Sequence, residues 1–426
     1  MTRWQPTLRT IGIAATATAT LTALTACSTD GQSTSDNAAA SSAAQPSVDV
    51  SALDTGPYPT EPRSEFGRAT DDQIVQVEGQ RMAQFIVVPF EVDRDITNGK
   101  LPTSAISSRQ NLTVVLGEGT ADIPANDELL YGFTTTAATP DSTIREGTSR
   151  SLSSMVLRYM TRQAAEDAAG QLAQQVASNS NATVTTLPGL PGTHVIRDSG
   201  TDGTERLITF TPHDTYVIYE WYQTTTEQPE LLEPTVRKAI SLQTALIDQF
   251  PATPTKDEAA ARGITGPTRP IVDQDHVLIY ALPYTDDEMS SGKTGLTPQS
   301  MRAVYGPRGM AHFSSDPVGT FNSLNDAGST ANAVERSVVY RAATPEQATT
   351  LMKGYAANAT GKGIDSPPGL PSAVCSTTNS STNTTYTCWV HNDRYVGEIH
   401  SDNQQDAYQQ ASAQYVLFTK ADQNDS

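Results

Sequence analysis

A four-residue string, Pro188-Gly189-Leu190-Pro191, recurs as Pro368-Gly369-Leu370-Pro371, 180 residues further along the chain. At the same offset Phe133 meets Phe313, Glu166 meets Glu346, Ala168 meets Ala348 and Leu172 meets Met352. A one-residue slip then pairs Phe210 with Trp389, Asp214 with Asp393 and Tyr216-Val217 with Tyr395-Val396. At offset 168, Ala239, Ala245 and Phe250 meet Ala407, Ala413 and Phe418. Matches that keep their order while the offset shrinks are the trace of a tandem duplication. Any fold assigned to one half must therefore serve the other.

The elements within each copy define that fold. Residues 163–178 set Ala168, Leu172 and Val176 four apart on one helical face. In the second copy Thr344-Pro345-Glu346 supplies an N-cap and a first-turn proline. Short β-rich runs follow the repeated turn: His194 to Arg197, Arg206 to Thr211 and Tyr216 to Tyr222, with His213-Asp214 as a hairpin turn. Val236, Ala239, Ile240, Gln243, Leu246, Ile247 and Phe250 then mark a second amphipathic helix, matched by Tyr408, Ala411, Tyr415 and Phe418 near the C-terminus. The order helix, hairpin-linked strands, helix predicts an α+β fold: two tandem related domains, each a mostly antiparallel sheet packed by helices. The expected boundaries are an N-terminal domain over 65–252, a Pro/Gly-rich linker over 253–272 and a C-terminal domain over 273–426. Ahead of the first repeat, Ile74, Val77, Met82 and Phe85 suit a helix that Pro89 terminates, and His276 to Leu282 reads as a strand.

The first residues carry an address. Arg3 and Arg9 precede an uncharged stretch from Ile11 to Leu24, too short and too weakly apolar to span a bilayer comfortably. It ends in Leu24-Thr25-Ala26-Cys27, which resembles the lipobox of bacterial lipoproteins, where a diacylglycerol is attached to the cysteine before cleavage. The expectation is a signal peptide over 1–26, lipidation at Cys27 and a flexible Ser/Thr/Ala-rich tether over 27–64, holding the protein on the outer face of the membrane. Two further cysteines, Cys375 and Cys388, are expected to form a disulfide in that oxidising compartment; a metal site is the weaker alternative, since two thiols fall short of four ligands. With 28 basic and 47 acidic side chains the formal net charge is −19, which argues against nucleic acid as a partner.

Chemical motifs are sparse. Ser290-Ser291-Gly292-Lys293-Thr294-Gly295 matches both S-x-x-K and K-T-G, but one lysine cannot fill both places, and Asp287 stands where a phosphate loop needs glycine. The six histidines lack helical metal-pair spacing, so neither a metal nor a cofactor is expected, and no catalytic residue is assigned. Asp273-Gln274-Asp275-His276 reads as a solvated turn. Tyr216, Tyr219, Trp221 and Tyr222 are the candidate ligand-facing residues; on a strand Tyr216 and Tyr222 share one face, Tyr219 and Trp221 the other. Core packing competes with binding on both faces.

Taken with the strings Gln80-Arg81-Met82-Ala83, Pro89-Phe90-Glu91-Val92-Asp93 and Tyr305-Gly306-Pro307-Arg308-Gly309, the chain resembles the uncharacterised lipoproteins of actinobacterial cell envelopes. These carry a domain of unknown function, often in two related parts. The resemblance implies no reaction, cofactor or catalytic residue. The expected role is non-enzymatic: an anchored binding or accessory protein whose partner is an envelope protein or a lipid or glycan ligand. A solute-binding lipoprotein of a transporter and a cell-wall hydrolase are the alternatives; the first needs a deep inter-lobe cleft, the second a polar cleft with convergent titratable groups.

Overall fold

The computed structural model describes residues 48–200, 202–266, 268–285, 287, 288 and 302–423. The expected signal peptide, Cys27 and the Ser290–Gly295 string lie outside the described residues. The N-terminal sheet contains β1 (Asn98–Ile106), β2 (Leu129–Ala138), β3 (Ser151–Tyr159), β4 (Val184–Leu187), β5 (Leu190–Ser199), β6 (Thr204–His213) and β7 (Tyr216–Thr225), in the order β1-β2-β3-β7-β6-β5-β4. The C-terminal sheet contains β8 (Ala303–Tyr305), β9 (Asn332–Val334), β10 (Val338–Arg341), β11 (Lys362–Ile364), β12 (Val374–Asn379), β13 (Thr384–Asn392) and β14 (Tyr395–Ser401). Its order is β8-β9-β10-β14-β13-β12-β11, the first order with seven added to each strand number. All the pairings are antiparallel. The α+β class and the duplication are thus written in the topology.

The local geometry repeats too. Gly189 and Gly369 of the two repeated strings both take left-handed φ, 79° and 81°, a region open to glycine at no steric cost. Asp214 and Asp393, which open the β6–β7 and β13–β14 turns, have φ of 50° and 49°. One sequence match is not structural: Phe133 lies on β2 whereas Phe313 follows a helix, and the two rings touch instead, centroids 5.9 Å apart.

Eleven described α-helices complete the layers: α1 (Ile74–Met82), α2 (Pro89–Val92), α3 (Asn111–Leu116), α4 (Ser142–Glu146), α5 (Arg162–Ser180), α6 (Leu232–Ile247), α7 (Lys256–Ala261), α8 (Pro307–Ala311), α9 (Pro317–Asp326), α10 (Pro345–Asn358) and α11 (Gln404–Phe418). In α5, Ala165, Ala168, Ala169 and Ala173 are fully buried, and these small side chains let the helix sit close over Met155, Leu157, Phe210 and Tyr219. The opposite face is shared by α1, over Tyr131 and Phe133, and α6, over Leu152, Leu207 and Tyr222. In the second copy α10 lies over Tyr340, Trp389 and Val396, and α11 over Cys388, Val390 and Ile399.

Several sequence expectations are corrected. Pro89 does not end the preceding helix; α1 gives way at Ala83–Phe85 to a 3-10 turn, and Pro89 starts α2, where its missing N–H costs nothing. His276–Leu282 is not a strand but two 3-10 turns, because the buried Asp273 carboxylate accepts the backbone N–H groups of Val277, Leu278 and Ile279 at 2.8–3.0 Å. Asp273 is therefore no solvated turn residue. The linker carries α7, started by a Thr255/Glu258 capping box and held to β3 by Arg158, which is 2.8 Å from Glu258.

Residues 48–64, expected in the tether, run as a strap across the C-terminal domain. Leu53 is buried in its core, Tyr58 donates to Asp406 Oδ1 at 2.5 Å, and Arg63 pairs with Glu335 at 2.6 Å. Three anchoring side chains overcome the polar composition around them.

The two domains share one hydrophobic core. Met82, Ile86, Phe133 and Val156 of the first pack with Tyr305, Met310, Leu324 and Tyr340 of the second. The strings that carry the family resemblance meet here. Gln80 Nε2 donates to Arg302 O at 3.0 Å, Gln84 Oε1 accepts the N–H groups of Arg308 and Gly309, Arg308 pairs with Glu91, and Phe90 meets Phe321. Side chains thus fill the region where a transporter-type protein would open its inter-lobe cleft.

Candidate binding cleft

The cleft arises where the second copy departs from the first. In the N-terminal domain Pro188-Gly189 is a tight turn, with Leu187 paired to Leu190 across the β4–β5 hairpin. In the C-terminal domain β11 ends at Ile364 and β12 starts at Val374, so the corresponding string sits in an open loop. Leu370 pins that loop in the core, Ser366 Oγ donates to Ala373 O at 2.7 Å, and Gly369 approaches Leu53 of the strap. The loop forms one wall.

The other wall is α11. Asn403 caps the helix by accepting Asp406 N–H at 3.0 Å, and residues 404, 405, 408, 409 and 412 form one helical face. Tyr386 of β13 and Asp54 of the strap border the site, an open groove of about 600 Å³. That lies within the range of small-molecule sites. Tyr408 is fixed twice: its hydroxyl donates to Asp365 O at 2.5 Å and accepts from Gln404 Nε2 at 2.8 Å. Gln409 Nε2 donates to Asp54 Oδ2 at 2.9 Å, and this bond with the Gly56 N–H holds the Asp54 carboxyl below its ordinary pKa. Beneath the helix start, Asp406 accepts from Tyr58, Ser401 and Gln410; burial, then that carboxylate, pushes the Tyr58 hydroxyl up to about 12. A smaller cavity of about 220 Å³ lies between Val48 of the strap, Pro371 and the β13–β14 turn.

The expected ligand-facing aromatics are elsewhere: Tyr219 and Tyr222 are buried, and Tyr216 and Trp221 are half-buried against the packing layers. Tyr219 and Trp221 pack under α5, Tyr219 against Phe210 with centroids 5.1 Å apart. Tyr222 is fully buried under α6, and Tyr216 packs on the interdomain core. Their split between two faces is as expected, but helices cover both. Cys375 and Cys388 stand directly opposite each other on β12 and β13, joined by a disulfide with Cα atoms 4.1 Å apart.

Among the described residues, one hydroxyl–histidine–carboxylate chain is found. Thr387 Oγ1 is 3.0 Å from His400 Nδ1, His400 Nε2 is 2.8 Å from Glu398 Oε1, and Tyr340 donates to Glu398 Oε2 at 2.8 Å. It lies on the sheet face opposite Tyr386, away from the cleft, because neighbouring residues on β13 point to opposite sides. Glu398 stays below its ordinary pKa through its bonds to His400 and Tyr340, against the effect of burial. Among the described residues, no three or more His, Cys, Asp or Glu side chains gather as a metal site. No described helix is long and apolar enough to cross a membrane.

The architecture defines a duplicated α+β protein whose second copy carries an open loop where the first has a tight hairpin. Residues 65–262 match the model described as Domain of unknown function (DUF7373) N-terminal, and residues 284–421 match its C-terminal counterpart. Together they span well over half of the chain, which belongs to this family. No curated protein matches it. The crystal structure of the extracellular domain of PknH from Mycobacterium tuberculosis is similar at 12% identity and a TM-score of 0.26, covering 40% of this chain and 97% of that one. The sequence offered no direct signal for the cleft; the nearest was the drop in repeat offset before α11, which brings the helix start up to β14.

Proposed function

We propose that this chain is a lipid-anchored, extracytoplasmic accessory protein of the cell envelope, which binds a ligand in its C-terminal cleft without transforming it. The composition of that cleft carries the reading: two tyrosine rings, two prolines, side-chain amides and two carboxylates surround about 600 Å³. A hydrolase needs a nucleophile and base converging on the bound substrate, and the Thr387–His400–Glu398 chain lies on the other side of the sheet.

Anchoring rests on Arg3, Arg9 and the Leu24–Cys27 string. The chain between Cys27 and the start of the strap at Val48 reaches at most about 70 Å when extended. A ligand held between strap and α11 would therefore sit within that reach of the bilayer, plus the short span from Val48 to Asp54.

Membrane fractionation tests the anchor. The wild type should sediment with membranes and yield a diacylglyceryl-modified Cys27 peptide, while Cys27→Ser should move to the soluble fraction. An unmodified Cys27 in membrane-bound protein would contradict the proposal.

A further inference from the structure

The walls of the cleft also select a chemical class of ligand, and we infer that it takes an uncharged carbohydrate. This rests on the reading of the cleft as a binding site.

Charge comes first. No Lys, Arg or His is among the described lining residues, whereas Asp54 and Asp402 are. A phosphate, sulfate or carboxylate brought here would lose its hydration without gaining a counter-charge. The net charge of −19 adds a repulsive field. A cationic peptide fits poorly as well, since Asp54 is already engaged by Gln409 and the Gly56 N–H, and Asp402, exposed to solvent, is a single screened counter-charge. The ligand is neutral.

Hydrogen-bonding capacity comes next. Asn403, Gln404 and Gln405 are exposed on the rim; with Asn403 Oδ1 capping the helix and Gln404 Nε2 donating to Tyr408, the Asn403 amino group, the Gln404 oxygen and both ends of the Gln405 amide supply donors and acceptors. Asp402 is also exposed and offers acceptors alone. Adjacent hydroxyls on a ring, each donor and acceptor at once, match such a set. A lipid tail would leave these groups unpaired, and a peptide strand would need a free sheet edge to pair with.

The remaining surface is flat and apolar. Tyr386, Tyr408 and exposed Pro368 supply the ring surface of the lining, and an aromatic face carries the negative part of the quadrupole. The C–H groups on one side of a pyranose carry the complementary partial charge. Tyr408 is held by Gln404 and Asp365, so little side-chain entropy is lost on binding.

The test uses the full chain in detergent, titrated with neutral oligosaccharides built from hexose, pentose and N-acetylhexosamine units, and with glucose 6-phosphate and pentalysine as charged probes. The expected result is saturable binding of a neutral oligosaccharide, weakened tenfold or more by Asp402→Ala and by Gln405→Ala. Both residues are exposed, so thermal unfolding should be unchanged. Binding of only a charged probe, no binding at all, or neutral binding insensitive to both substitutions would overturn the inference. Native mass spectrometry of the protein taken from its own envelope separates the two levels. A non-carbohydrate mass held in the cleft overturns the ligand class and leaves the binding site standing; an empty cleft removes both.

Discussion

His312 of the C-terminal domain places its Nδ1 3.0 Å from Thr135 Oγ1 on the N-terminal sheet, with its Nε2 3.1 Å from Ala83 O. A carbonyl only accepts, so Nε2 carries the proton and Nδ1 accepts from the Thr135 hydroxyl. The imidazole is neutral, and burial pushes its pKa down to about 3. The welded interface thus contains a base that charges only when it is freed.

Acid should accordingly loosen the whole molecule. Between the ordinary histidine pKa near 6.5 and about 3, the unfolded chain binds a proton here that the folded one does not. Stability therefore rises with pH across that window, by up to about 1.4 kcal/mol per unit from this group. Urea unfolding at successive pH values should show a steeper acid limb in the wild type than in His312→Gln.

A second buried group works in the opposite direction. Thr135, Ser154, Glu220 and Thr209 stand in register across β2, β3, β7 and β6. Glu220 accepts from Ser154 at 2.5 Å, but its Oε1 has no hydrogen-bond partner. Burial pushes this carboxyl up to about 8. Between about 4.5 and 8 the folded state holds a proton that the unfolded state has released, so stability falls as pH rises. Glu220→Gln should be more stable than the wild type at pH 9 and flatter across that window.

The strap belongs to the C-terminal domain energetically. The Glu335 side chain is 1% exposed and faces Arg63 at 2.6 Å and Arg302 at 3.4 Å. Arg63→Met leaves that buried carboxylate with its more distant partner alone, costing up to about 3 kcal/mol. Leu53→Ala should cost about 2–4 kcal/mol through the cavity it leaves. Hydrogen exchange should show both losses first at α11 and the 365–373 loop, which contact the strap.

The disulfide closes a short loop between two buried cysteines, 13 positions apart. The chain-entropy model gives roughly 3 kcal/mol for its removal. Reduction, or the double change Cys375→Ala and Cys388→Ala, should lower the unfolding free energy by that amount and leave far-ultraviolet circular dichroism unchanged.

The layers were legible because they rest on periodicity. Ala168, Leu172 and Val176 mark the buried face of α5, and repeated glycines mark positions that need left-handed backbone. The cleft was not legible, since it depends on contacts made across the whole sequence. Asp54 and Tyr408 are 354 positions apart, and the intervening fold alone brings them to one cavity. The strap misled for a related reason: Leu53, Tyr58 and Arg63 are too sparse to show a period, yet each finds a prepared partner. The aromatic strand left core packing and binding both open. Its alternation assigned Tyr216, Tyr219, Trp221 and Tyr222 to the right faces, but a strand pattern cannot say that helices cover both.

The most direct measurement is native mass spectrometry of the chain released gently from its own envelope, beside Gln405→Trp, whose bulky ring crowds one wall of the site. The account predicts a stoichiometric non-protein mass on the wild type that is missing from the variant. A bare wild-type chain, or an adduct that persists in the variant, would contradict it.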